Sequence, residues 1–192
     1  MDTALQVVDL LWRNQEKAFT INEIAKLLDG TYSYVNRVVL QLVKDNVIVK
    51  KTVGHAFQCS LNKLPEKTKA LVLLSEVSRK EEYYQKHGKF KLLFDDFLKE
   101  LSKDVLFLVL FGSYAKGTFT KESDIDVLII TKTRENITSA LRKINALYGK
   151  EISPLLLTKK ELQQRKEEPL IKEIIKNHIV ISGAEGFIQV FY

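Results

Sequence analysis

Leu110-Phe111-Gly112-Ser113, followed after ten intervening residues by Asp124-Ile125-Asp126-Val127, is the stretch on which the reading of this chain turns. Val105 to Phe111 is an unbroken apolar run, the pattern of a strand buried on both faces. Gly112 ends it where the backbone turns sharply, and Ser113 opens a short helix through Tyr114, Ala115 and Lys116. The free N–H groups at such a start can bind an anion, the Ser113 hydroxyl adds a donor, and Gly117 can close the helix in a left-handed conformation. Asp124 and Asp126 stand two apart on the next apolar run, through Ile130, so both carboxylates share one face while Ile125, Val127 and Ile129 take the other. Like charges this close repel unless a cation sits between them, and magnesium suits two carboxylates plus phosphate oxygens. A lone Gly-Ser turn or a lone Asp-x-Asp says little. Together, in this order and between these runs, they predict a site for a nucleoside triphosphate and a divalent metal. Lys116 and Lys121 lie beside it and could neutralise phosphate charge, although exposed loop lysines commonly serve only solubility.

Gly112-Ser113, ten residues, then Asp124-Ile125-Asp126 resembles the signature of the polymerase-beta-type nucleotidyltransferase superfamily, and more narrowly of its minimal nucleotidyltransferases. The resemblance covers residues 104–192. It implies that Gly112 and Ser113 hold the triphosphate of ATP or another NTP, with Lys116 beside them as a further nucleotide-binding candidate, and that Asp124 and Asp126 bind two Mg2+ ions. A hydroxyl of the acceptor would then attack the α-phosphate with loss of pyrophosphate. The family often carries a third carboxylate on a following strand. The candidate strand here, Ile152 to Leu157, has Ser153 at the expected place, and Glu151 two residues earlier could substitute or could be only a surface residue. The same resemblance extends to the antitoxin halves of HEPN–MNT toxin–antitoxin pairs, some of which modify a tyrosine on the toxin.

Composition narrows the alternatives. At 192 residues and 45% hydrophobic content, the chain can bury one medium core or two small ones. No apolar run approaches the roughly 18 residues needed to cross a membrane. Asp2 and Asp9 are acidic where a secretory leader is basic, and the single cysteine, Cys59, excludes an internal disulfide, so a cytoplasmic protein is expected. The net charge of +6 is diffuse, at +1 over residues 1–62 and +3 over residues 105–192, so no concentrated basic footprint makes nucleic acid the default partner.

Residues 1–62 carry their own pattern. Leu5, Val8, Leu11 and Trp12 recur at helical spacing, and Thr20-Ile21-Asn22-Glu23 is a capping box opening a helix to Leu28. A turn at Asp29-Gly30-Thr31 leads to a second helix, Tyr32 to Asp45, with Val35, Val38, Val39, Leu42 and Val43 in one stripe. Val47 to Thr52 and Ala56 to Leu61 read as strands joined at Val53-Gly54-His55. This order resembles a winged helix-turn-helix domain. The resemblance implies DNA contacts from Tyr34, Asn36 and Arg37 on the second helix, with Lys50, Lys51 and His55 on phosphates. Such domains also dock proteins or dimerise, and this one is nearly neutral.

Residues 63–103 read as a helical connector broken at His87-Gly88, with Leu71, Leu74, Val77 and Ser78 inward, then Leu92, Leu93, Phe97, Leu98 and Leu101. In residues 104–192, Asn136 to Tyr148 reads as a helix with Ile137, Leu141, Ile144 and Leu147 inward. Thr158 to Glu161 is a second capping box, Pro169 starts a helix, and Ile179 to Ile181 and Phe187 to Phe191 read as edge strands. The expectation is an α/β (α+β) protein: a mixed-sheet nucleotidyltransferase domain behind a winged-helix domain and a connector. Its expected activity is magnesium-dependent transfer of an NMP, AMP first, to a hydroxyl, with a tyrosine on a HEPN-type partner as first choice. A DNA-binding regulator that only senses nucleotide, and a protein-docking module, are the alternatives. A homodimer would be favoured by an exposed apolar helix in the connector.

Overall fold

A computed structural model describes residues 1–54, 56–101 and 103–192. His55, a candidate phosphate contact, lies outside the described residues. The chain divides into two compact units, Met1–Ser78 with Tyr192, and Arg79–Phe191.

In the first unit, helix α1 (Thr3–Arg13) starts at Asp2, whose carboxylate accepts the Leu5 N–H at 2.8 Å. Strand β1 (Phe19–Thr20) leads into α2 (Ile21–Leu27), where Thr20 and Glu23 complete the expected capping box. Helix α3 (Tyr32–Lys44) is followed by β2 (Ile48–Val53), β3 (Ala56–Leu61) and α4 (Glu66–Lys86), of which the part to Ser78 belongs here. The strands form an antiparallel sheet in the order β1-β3-β2. The pairing with β3 makes Phe19–Thr20 a strand, which a two-residue stretch could not announce in sequence. Leu5, Val8, Leu11 and Trp12 are buried, as are Val35, Val39 and Leu42, while Val38 and Val43 are half-buried at the margin of their stripe.

The inward face of α4 differs from the expected one. Thr68, Val72, Ser75 and Glu76 are buried, whereas Leu74 is 50% exposed. The polar contacts of Glu76 explain the rotation. Its carboxylate accepts the Trp12 indole N–H at 2.7 Å and a guanidinium N–H of Arg13 at 3.2 Å. Arg13 also pairs with Asp9 at 2.9 Å. A buried carboxylate needs such partners, and these fix the face that α4 turns inward.

In the second unit, the end of α4 and α5 (Gly88–Glu100) precede β4 (Val105–Leu110), α6 (Gly112–Lys116) and β5 (Ile125–Thr131). Then come α7 (Ile137–Tyr148), β6 (Ile152–Leu157), α8 (Lys159–Gln164), α9 (Pro169–Lys176), β7 (Ile179–Ser182) and α10 (Ala184–Phe191). The sheet runs β6-β5-β4-β7, with β5 and β6 parallel and the other pairs antiparallel. It is therefore mixed, and the architecture is α/β. Leu108, Leu110, Ile125, Val127 and Ile129 pack with Leu93, Phe94 and Phe97 of α5 and with Ile137, Ala140 and Ile144 of α7. The alternate residues Phe107, Val109, Leu128 and Ile130 are buried as well, and Phe107 meets Phe187 of α10 edge to face at 5.6 Å. Both faces are covered, which is why these strands read as continuous apolar runs.

Three expectations need correction. Phe187 to Phe191 is helical, because Gly183 (φ +74°) ends β7 and Phe187, Ile188 and Phe191 are buried at helical spacing. Leu147 is 64% exposed, and Ala140 takes the inner position on α7. Leu92 is likewise exposed, with Phe94 buried in its place. On β6, at the sheet edge, Pro154 stands opposite Val127. No described helix is long and apolar enough to cross a membrane.

Replacing Glu76 with Ala removes the acceptor shared by Trp12 and Arg13, and is expected to cost the first unit about 3 kcal/mol. Urea unfolding followed by the fluorescence of Trp12, the one tryptophan, measures it. A loss below about 0.5 kcal/mol, the range of ordinary surface changes, would show that the network does not hold α4.

Candidate active site

The site is built where β4 ends beside the start of β5. Leu110 pairs with Val127, and the Phe111 N–H donates to the Asp126 carbonyl at 3.0 Å. Gly112 then turns with φ +68° into α6, and Gly117 (φ +73°) closes that helix. A Cβ on Gly112 would lie 2.0 Å from Asp126 Oδ2. The carboxylate thus rests against the bare Cα of Gly112, and any side chain at 112 would have to displace it. Tyr114, the buried residue of α6, donates its hydroxyl to the Ser123 carbonyl at 3.2 Å and stacks on Phe119 at 4.3 Å. The Thr120 N–H donates to Ser123 Oγ at 2.9 Å. The loop before Asp124 is therefore fastened to α6 by one aromatic side chain. Sequence reasoning passed over Tyr114, although an aromatic pair bracketing a Gly-Thr loop was visible.

Asp126 is half-buried within β5, and Asp124 is exposed just ahead of it. Burial, and then the Asp124 charge, push the Asp126 carboxyl above the ordinary carboxylate range. Ser153 of β6 is the register partner of Asp126, so a hydroxyl stands beside this acid. The Ile125 N–H donates to the Glu151 carbonyl at 2.8 Å, which sets Glu151 level with Asp124, exposed and one position before β6. Among the described residues, no group of three or more His, Cys, Asp or Glu side chains is gathered as a metal cluster. The structure therefore brings Gly112 against Asp126, with Ser113 next in chain and Asp124 two residues away, and leaves the Glu151 carboxylate outside a three-acid group.

Lys116 reaches Glu173 of α9, with an ammonium–carboxylate distance of 2.7 Å. That hydrogen bond, more than any other contact, holds the Glu173 carboxyl below its ordinary range. Glu173 lies far along the chain from Lys116, and nothing in local sequence announces the pair. Lys121 is exposed, and its carbonyl accepts the Lys150 ammonium. In the first unit, Tyr34 and Arg37 are exposed on α3 and Asn36 is half-exposed. Lys51 is exposed on β2, while the Lys50 ammonium lies 3.8 Å over the Phe57 ring.

The residues present fit a hard divalent cation. The donor set is oxygen only, namely the Asp126 carboxylate with Asp124 two residues away and Ser153 at the register position beside Asp126. Burial first, and the Asp124 charge second, raise the Asp126 carboxyl, and a bound cation would offset both.

The family model described as a nucleotidyltransferase domain matches residues 91–182. Three proteins of Methanocaldococcus jannaschii, provisionally named protein adenylyltransferases, are similar to this chain. One is 33% identical over 107 residues, covering 50% of this chain and 73% of that protein. A second is 40% identical over 80 residues, 41% of this chain and 56% of that protein. A third is 32% identical over 78 residues, 33% of this chain and 79% of that protein. A crystal structure described as a toxin-antitoxin with AMP-PNP overlaps 53% of this chain and 79% of its own, at 17% identity and a TM-score of 0.39, a likeness too slight to carry weight.

A group whose carboxyl is raised on folding favours the folded state only while protonated, so ionised Asp126 opposes folding at neutral pH. Asp126→Asn is therefore expected to raise the Tm of the metal-free protein at pH 7, and the gain should shrink as pH falls through the Asp126 titration. The same change should abolish magnesium-linked nucleotide uptake. Calorimetric melting from pH 4 to 8, with and without magnesium and ATP, checks both halves. A lowered metal-free Tm at pH 7 would contradict the first.

Proposed function

The chain belongs to the nucleotidyltransferase-domain family and is a transferase, and from that premise we propose that it moves an adenylyl group from ATP to a hydroxyl on a protein acceptor. The observation that carries this reading is the Asp126 carboxylate resting on the Cα of Gly112, with Ser113 next in chain and Asp124 two residues away. Gly112 and Ser113 offer the backbone and the hydroxyl that accompany a triphosphate, and the two aspartates hold the cations. Magnesium, two ions in this reading, would withdraw charge from the α-phosphate and steady the departing pyrophosphate. The acceptor oxygen bonds to the α-phosphorus, the bond from that phosphorus to the pyrophosphate oxygen breaks, and the acceptor proton passes to solvent or a carboxylate. Lys116 joins the phosphates by leaving Glu173. An exposed ion pair of this kind is worth only about 0–1 kcal/mol, so the exchange costs little. Glu151, level with Asp124 but outside the acid pair, would have to turn its carboxylate inward to serve as the third acid, and Ser153 offers a hydroxyl beside Asp126 instead.

The names of the Methanocaldococcus jannaschii relatives support AMP as the transferred group and a protein as the acceptor. A tyrosine of a HEPN-type toxin is the acceptor that the resemblance to antitoxin halves favours. In this reading residues 104–192 are the transferase domain, 63–103 the connector and 1–62 a winged helix. The helix order, the hairpin of β2 and β3, and the display of Tyr34 and Arg37 on α3 support that last assignment. Tyr34, Asn36 and Arg37 would face bases, and Lys50 and Lys51 would touch phosphates.

Incubation with ATP labelled at the α-phosphate, magnesium and a co-encoded helical protein tests the activity. Label should pass to that protein from the wild type and not from Asp126→Ala, and equal labelling by the variant would refute the assignment. For the winged helix, a gel shift on the protein's own upstream DNA should weaken steeply with added salt and be lost in Arg37→Ala. No shift at low salt would remove DNA from the account.

A further inference from the structure

Within the second unit, the segment Arg79–His87 at the end of α4 lies across a cavity from α6. The cavity holds about 240 Å³. Arg79, Lys86 and Lys116 line it with one carboxylate, Glu82. Lys86 is exposed and has no ion-pair partner among the described residues. The floor is aromatic, since His87 packs on Tyr83 at 4.7 Å and on Phe119 at 5.6 Å, and Phe119 stacks on Tyr114. Segment 79–87 lies outside residues 91–182 that match the nucleotidyltransferase domain, so one wall of this cavity is an addition to the matched region.

We propose that this cavity, formed by Lys86 and its neighbours on α4 against Lys116 on α6, binds a small polyanion carrying one or two phosphate groups. Volume and charge both point there. At about 30 Å³ per water, the space holds roughly eight waters, ample for pyrophosphate. It falls below the range of about 300–1,000 Å³ typical of pockets that enclose a whole drug-sized ligand. Arg79, Lys86 and Lys116 outnumber the lining carboxylate Glu82 together with Glu173, which pairs with Lys116, so the balance of charge favours an anion. Lys116 lines this cavity and also stands in the proposed triphosphate site, so an anion here would compete with Glu173 for it. The cavity shares Lys116 with the proposed transferase site but requires neither metal nor Asp126.

Calorimetric titration of pyrophosphate into the full chain, in EDTA at fixed ionic strength, tests the site. Saturable binding is expected, weakened about tenfold or more in Lys86→Glu, as loss of one charged hydrogen bond implies. It should be retained in Lys86→Arg and unchanged in Asp126→Asn. Melting curves confirm that Lys86→Glu remains folded. A parallel titration with ADP identifies the source: pyrophosphate binding the tighter supports a free anion, and ADP the tighter supports the phosphates of a nucleotide. No saturable binding of either, binding indifferent to Lys86→Glu, or binding lost in Asp126→Asn would overturn the proposal.

Discussion

A half-buried carboxylate beside another acid is an unfavourable thing to fold around, and the second unit is arranged to hold Asp126 in that state. Its side chain rests against the bare Cα of Gly112, and Ser153 of β6 stands in register beside it. The left-handed turn at Gly112 is what lets the chain pass that closely without a Cβ. The two-sided apolar burial of β4 and β5 anchors both ends of the contact. The raised Asp126 carboxyl marks the cost of that placement, burial first and the Asp124 charge second.

The rest of the site follows from how that contact is supported. The Tyr114 hydroxyl ties the loop before Asp124 to α6, so helix and acids move as one piece. The parallel pairing of β5 with β6 decides which residue stands next to Asp126, and the register delivers Ser153 there. A hydroxyl at this place adds an oxygen donor without adding charge, so Asp126 is spared a second repulsive neighbour. The acid pair and its glycine therefore make up the charged centre, and the surrounding groups adjust it.

Legibility in the sequence tracked how local each cause was. The Gly112-Ser113 turn, the αL closure at Gly117 and both capping boxes depend on residues a few positions apart, and they were readable. The covered strands were readable because burial on both faces leaves no polar alternation. The face of α4 was not, because Glu76 turns inward to reach Trp12 and Arg13, and that cause is tertiary. Phe187 to Phe191 looked like a strand because a short apolar run has no decisive period, and only the chain reversal at Gly183 makes it a helix. The pairing of Lys116 with Glu173 joins two surface charges from distant elements, for which periodicity holds no signal.

Pro154 gives the sheet a property that catalysis does not need. A proline has no amide hydrogen to offer, and this one sits in the outermost strand, β6, opposite Val127. An incoming strand from another molecule would find a gap in the ladder at that point. The open margin of the sheet is thereby made a poor template for joining copies edge to edge, which protects a chain rich in continuous apolar strands from aggregating through β6.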